Sequence, residues 1–80
     1  MEGAAKPAEA VYRFKGDGDD TNKQNILATY FKALIDGGMI DGAHFSYDGA
    51  DLRARLTLRG PLPEKAARWI TDSYHGQPEK

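Results

Sequence analysis

The chain has 80 residues, too few for a barrel enzyme or a dinucleotide-binding sheet, so we expect one small domain. Its 11 lysines and arginines face 12 acidic residues, a formal net charge of −1, which gives no general attraction to DNA or membranes. Hydrophobic residues make up 40%, as in a globular chain, and the lack of cysteine excludes thiol catalysis, cysteine metal sites and disulfides.

The first segment, residues 1–9, combines small residues, Pro7 and mixed charge without any period. We expect a flexible lead-in there rather than a signal peptide. No apolar run approaches the roughly 20 residues that a membrane-spanning helix needs. Together with the lack of cysteine, these features favour a cytoplasmic protein that does not enter a membrane.

A first strand is predicted at residues 10–15, where Tyr12 and Phe14 alternate with Arg13 and Lys15. One face of this strand is therefore apolar and the other is basic. The sequence Gly16-Asp17-Gly18 ends it.

The helix that follows has the clearest pattern in the chain. Asp19, Asp20 and Thr21 offer capping oxygens, and Gly37-Gly38 offers a left-handed exit. Between them, apolar residues recur with helical spacing and cover about half of the circumference. They are Ile26, Leu27, Tyr30, Phe31, Leu34 and Ile35. We expect Met39 and Ile40 to cover the base of the core.

A hairpin is predicted next, from residues 43–47 and 52–59, joined through residues 48–51. Alternation in the second strand places Leu52, Ala54, Leu56 and Leu58 on one face. A two-residue turn at Asp48-Gly49 would pair Phe45 with Leu52, and a four-residue loop would pair Tyr47 with Leu52. Both registers keep aromatic residues and leucine together, whereas a three-residue loop would oppose Phe45 and Arg53 and is rejected.

A second, shorter helix begins near Pro63 and ends before Gly76 and Pro78. Its apolar residues are Leu62, Ala66, Ala67, Trp69, Ile70 and Tyr74. We favour Trp69 as a core residue, and the alternative is a partly exposed anchor for a partner.

The predicted order is βαββα, a two-layer α+β sandwich with both helices on one face of a three-stranded, mainly antiparallel sheet. A crossover helix between the first two strands implies that they are parallel, with a right-handed crossover preferred, and the long third strand fits between them, in the order 2-3-1. The architecture resembles a ferredoxin-like sandwich without its last strand. The domain spans residues 10–76, and residues 77–80 are predicted to be a tail.

Two patterns that resemble chemical sites are weak. Asp17-Gly18-Asp19-Asp20 fails as a calcium loop, because Asn22 and Ala28 fall where glycine and glutamate are needed. His44, Ser46 and Asp48 share one strand face, but on an open sheet without a pocket or oxyanion hole. We therefore expect no metal, no cofactor and no enzymatic activity.

The strongest site hypothesis follows from strand parity. The face away from the helices collects five permanent cations, whereas most acids fall in loops and at helix ends. Its residues are Arg13, Lys15, His44, Ser46, Arg53, Arg55, Thr57 and Arg59. Either this is an ordinary solvated face or it is a binding surface, and the pattern favours neither.

If this face binds, the sequence predicts a small non-enzymatic regulatory or inhibitor-like module that docks on an acidic surface of a larger protein. The predicted contacts are Arg13, Lys15, His44, Arg53, Arg55 and Arg59, with Trp69 contributing. The alternative is weak, sequence-nonspecific RNA binding by the same arginines. The net charge and the lack of outward-facing aromatic residues favour the first. A homodimer through the edge of the second strand, at residues 44–47, is also predicted.

Overall fold

Four strands and two helices lie along residues 8–79, the part of the chain that this computed structural model describes. They are β1 (Glu9–Phe14), α1 (Thr21–Asp36), β2 (Ile40–Asp48), β3 (Asp51–Leu58), α2 (Glu64–Arg68) and β4 (Gln77–Glu79). A π-helical turn, Trp69–Ser73, continues α2. Residues 1–7 of the predicted lead-in lie outside the described residues, and Glu9 already pairs in β1.

The strands form one antiparallel sheet in the order β2-β3-β1-β4. This confirms the predicted order 2-3-1 and the parallel direction of β1 and β2, because β3 is antiparallel to both. The prediction of three strands is wrong, and so is that of a tail at residues 77–79, since Gln77–Glu79 pairs with residues 11–13 of β1. β1 is therefore not an edge. Lys80 lies outside the described residues. The fourth strand completes the βαββαβ order of the ferredoxin-like arrangement.

One core lies between the sheet and both helices. The sheet contributes alternate residues of β1 and β3, and the helices contribute residues one turn apart, as the periods of strand and helix require. The core residues are Tyr12, Phe14, Leu27, Phe31, Leu34, Ile40, Leu52, Ala54, Leu56, Ala66 and Ile70. Both helices thus cover the same face of the sheet, as predicted.

The buried stripe of α1 is narrower than its apolar pattern. Leu27, Phe31 and Leu34 are buried, but Ile26 remains 45% exposed and Ile35 38%. A helix lying on a sheet buries only the side that points down, so residues on its flanks stay accessible. The helical period was predicted from the sequence, whereas the width of its buried side depends on the tertiary structure.

Both ends of α1 are capped as the sequence predicts. The carboxylate of Asp20 accepts a hydrogen bond from the backbone N–H of Lys23 at 2.9 Å. At the other end Gly38 has φ +74°, and the N–H groups of Gly38 and Met39 donate to the carbonyls of Ile35 and Leu34. The chain then enters β2, where Ile40 is buried while Met39 stays 47% exposed, so only Ile40 covers the core.

The hairpin adopts the register that pairs Tyr47 with Leu52. Asp48 and Asp51 also pair, which leaves a two-residue turn of Gly49 and Ala50. Gly49 has φ +62°, the conformation that such tight turns require of their first residue. At the opposite end of β2 a bulge falls between Ile40 and Gly42 and ends the regular ladder.

The chain returns to the sheet through Gly76, which is buried. A methyl group added there would come within 2.7 Å of Ile70 and 2.9 Å of Phe14. Only glycine lets the backbone pass this close to the core. The passage leads directly into β4 and sets its position beside β1.

Candidate functional site on the open face of the sheet

The open face is the side of the sheet away from the helices. The strand register determines which of its side chains are neighbours. Glu79 lies beside Val11, and Arg13 lies opposite Arg53. Arg55 lies between Val11 and His44. The aromatic side chains of the strands all point to the helix side of the sheet, as predicted. Even the 61% exposed Tyr47 points toward α1, because its hydroxyl donates to the side-chain oxygen of Gln24 at 2.7 Å.

Arg13 binds three carboxylates, two that flank the hairpin turn and one on β4. Its Nη1 donates to Asp51 and its Nη2 to Asp48, each at 2.7 Å, and its Nε donates to Glu79 at 3.1 Å. Hydrogen bonds to Asp48 and then Asp51 raise the pKa of Arg13 above its ordinary value. Because the guanidinium presents donors in a fixed plane, one side chain can link the hairpin turn to β4.

Glu79 lies between two arginines that face each other across β1 and β3. Arg53 donates from Nε and Nη2 to the two carboxylate oxygens at 3.1 and 3.0 Å, a paired geometry. Oε2 of Glu79, which accepts from Nε of Arg53, also accepts a hydrogen bond from Nε of Arg13. The hydrogen bond from Arg53 is the largest cause that lowers the pKa of Glu79. One carboxylate thus relieves the repulsion between Arg13 and Arg53.

Asp51 lies at the hairpin end of the same group. It accepts a hydrogen bond from the backbone N–H of Gly16 at 2.9 Å, and this bond, followed by that from Arg13, lowers its pKa. Its side chain is only 19% exposed. We call Arg13, Asp48, Asp51, Arg53 and Glu79 the charge network.

The prediction of a one-signed basic face is therefore wrong. Glu79 lies on that face, the turn carboxylates reach back onto it, and Arg59 at the far end pairs with Asp41 at 2.8 Å. Sequence reasoning missed Glu79 because β4 was not foreseen. Asp48 and Asp51 lie in the predicted hairpin connection. Of the two predicted registers, the one that pairs Tyr47 with Leu52 places both at strand ends.

Three predicted site residues are exposed and make no ion pair within residues 8–79: Lys15, His44 and Arg55. Arg55 and His44 are direct neighbours across β2 and β3 at the centre of the open face. Lys15 follows β1 at the hairpin end, where its charge contributes to lowering the pKa of Asp51. The structure thus brings Arg55 and His44 together and leaves Lys15 apart.

Trp69 lies in the helix layer and does not join the open face. Its ring stacks on Tyr30 with centroids 3.9 Å apart, and Tyr74 lies at 4.6 Å. It is half-buried and packs against the core. The prediction that Trp69 contributes to the same docking surface is wrong, because the sheet separates it from Arg55.

Other surface features lie on the helix side. A shallow groove of about 470 Å³ runs along α1, lined by Asn25, Ile26, Thr29, Tyr30 and Ala33. Within residues 8–79, no three acidic or histidine side chains come together as metal ligands. In the same part of the chain, neither helix has the length and apolar character needed to cross a membrane.

Comparison with known protein families, with curated proteins and with solved structures found no match to this chain. The function proposed for this chain therefore rests on the chemistry of the open face and its surroundings.

Proposed function

We propose that the protein is a small, non-enzymatic regulatory or inhibitor-like module that docks on an acidic surface of a larger protein. The observation that carries this proposal is the position of Arg55. It is an exposed cation at the centre of the open face, with His44 on one side and the half-buried Val11 on the other.

The neighbours of Arg55 suit a docking surface. Arg13 and Arg53, in the adjacent row, are held by carboxylates of the same chain, so binding need not order or neutralise them. Arg55 has no such carboxylate among the described residues. An incoming carboxylate would satisfy its guanidinium, while Val11 offers an apolar contact beside it. Fixed surroundings reduce the entropy lost on binding.

A protein partner is favoured over RNA by the same geometry. Single-stranded RNA is bound by aromatic side chains that stack on bases, and every strand aromatic residue here faces the helices.

The test compares two charge reversals on opposite sides of the molecule. Arg55→Glu changes the centre of the open face, and Arg68→Glu makes the same change on α2, where Arg68 is 73% exposed. Immobilised wild type and both variants are incubated with lysate, with and without nuclease, after equal melting temperatures have been verified. We expect nuclease-resistant capture of a protein that Arg55→Glu abolishes and Arg68→Glu preserves.

Other outcomes contradict the proposal. Capture that nuclease removes, with RNA affinity falling linearly with the logarithm of salt concentration, would indicate the nucleic-acid alternative. Capture that survives Arg55→Glu would show that the open face is only a solvated surface. The homodimer predicted from the sequence would use another surface, the edge of β2.

A further inference from the structure

The two edges of the sheet differ in their protection. The β4 edge is three residues long and contains Pro78, which lacks an N–H, and the charged Glu79. The β2 edge runs over nine residues, Ile40–Asp48, and between its two acids residues 42–47 contain no proline and no permanently charged side chain. Short, charged or proline-containing edges resist pairing with another chain, whereas long edges of this second kind favour it.

Exposed apolar side chains flank the β2 edge. Tyr47 is in the strand, and Met39, 47% exposed, directly precedes it. Ile35 lies three turns along α1 from Gln24, so it points to the same side as the residue that binds the hydroxyl of Tyr47. Three of the exposed large apolar side chains thus lie along one edge of the molecule, where solvent exposure is unfavourable.

We propose that a second copy of this chain pairs with β2 across a two-fold axis, antiparallel, with Phe45 opposite Phe45. The hairpin geometry restricts the register to pairs among the outward-facing residues of β2, and pairing Phe45 with itself centres the contact between the bulge and the turn. Asp48 and Asp51 flank a two-residue turn and so form a hydrogen-bonded pair. Alternation along β2 then directs the backbone groups of Ala43, Phe45 and Tyr47 outward. In this register Phe45 pairs with itself and Ala43 pairs with Tyr47 of the second copy.

Charge and shape are compatible with this pairing. Asp48 falls opposite Gly42 of the second copy, so no two acidic residues oppose each other. The bulge between Ile40 and Gly42 and the turn after Asp48 bound the paired stretch at its two ends. Pairing the two β2 edges joins the two four-stranded sheets into one continuous sheet, and each copy uses the same residues, as a two-fold contact requires.

The helices meet above the new strand pair. The side of α1 nearest β2 presents the uncharged Gln24, Ala28 and Ile35, with Lys32 one turn beyond Ala28, and Ala28 is small enough for close approach. The two copies of α1 would lie antiparallel and cover Tyr47. This arrangement leaves the open face accessible, so the dimer does not depend on the docking proposed above.

The test measures molecular mass by sedimentation equilibrium over a concentration series. Two variants disturb the interface: Tyr47→Lys adds a charge beside the edge, and Ala28→Lys adds one between the helices. Ala33→Lys is the matched control, another exposed alanine of α1 that lines the groove on its other flank. Melting curves verify that all variants are folded.

We expect the wild-type mass to approach that of two chains as concentration rises. Each interface variant should raise the dissociation constant about tenfold or more, because every substitution occurs twice across the axis. Ala33→Lys should leave it unchanged. The amides of Ala43, Phe45 and Tyr47 should exchange more slowly with solvent in the dimer.

Three results would overturn the proposal. One is a monomer at millimolar concentration. Another is a dimer that Ala33→Lys disrupts and Ala28→Lys leaves intact, which would locate the contact at the groove of α1. The third is a dimer in which the amides of Ala43, Phe45 and Tyr47 gain no protection.

Discussion

The two faces of the sheet are stabilised by different forces. On the helix side, uncharged residues are removed from water, and Phe14, Leu52 and Leu56 have no accessible surface. On the open side, Arg13 and Arg53 pair with carboxylates while remaining 28% and 30% exposed. Burial of apolar area contributes more free energy than partly solvated ion pairs. The helix side therefore provides most of the stability, while the open side links strand ends and makes stability depend on pH.

The largest expected effect is on the helix side. Phe31 is buried and its ring lies 5.8 Å from that of Phe45. Phe31→Ala should lower the free energy of unfolding by about 3–5 kcal/mol, the usual result of leaving a cavity of this size. Urea denaturation followed by circular dichroism measures it. The control Ile26→Ala, at a 45% exposed position of the same helix, should cost about 0.5 kcal/mol. Equal losses of unfolding free energy in both variants would contradict the burial of Phe31 and the exposure of Ile26.

An intermediate effect is expected where the chain returns to the sheet. Gly76→Ala places a methyl group 2.7 Å from Ile70 and should cost about 1–3 kcal/mol, because the core must shift to accept it. Gly60→Ala is the control, since nothing lies within 4 Å of the added carbon. Thermal melting distinguishes them. A Gly76→Ala protein as stable as the Gly60→Ala protein would show that this passage is not tightly packed.

A smaller effect is expected on the open face. Glu79→Gln removes the charge that Arg13 and Arg53 share, so it should lower the melting temperature near neutral pH, by less than either core variant. Glu64→Gln is the matched control, because it makes the same charge change in an exposed pair on α2 with Arg68. It should have little effect.

The pH dependence has a defined sign. The pKa values of Glu79 and Asp51 are lowered on folding from ordinary values of 4.5 and 3.8. Their stabilisation is fully present above those values and is lost as pH falls through the folded pKa values. The melting temperature of the wild type should fall from about pH 5 to about pH 2, and that of Glu79→Gln should fall less. Parallel curves for the two proteins would contradict the role of Glu79.

Much of the fold could be predicted from local patterns. Alternation in β1 and β3 predicts which residues face the core, and the capping residues predict both ends of α1. The strand β4 could not be predicted in this way, because three residues containing Pro78 show no alternation. Its formation depends on the passage at Gly76 and on pairing with β1, which are properties of the tertiary structure.

The site was predictable only in part. Strand parity correctly places Arg13, Arg53 and Arg55 on one face, but it does not determine which acids reach them. Glu79 comes from the opposite end of the chain, and its contact with Arg13 spans 66 positions. Trp69 shows the same limit, since an apolar helix pattern does not reveal whether a ring packs on Tyr30 or faces a partner.

The brevity of β4 has a consequence for how the molecule folds. Its contacts close most of the chain into a loop. The chain loses entropy on that closure, and only three residue pairs offset the loss. We therefore expect β4 to join a sheet that the hairpin and β1 have already formed, and to be among the segments that detach most readily. Whenever it detaches, Glu79 leaves with it, and the repulsion between Arg13 and Arg53 is restored. The electric potential of the open face thus depends on whether the last strand is docked.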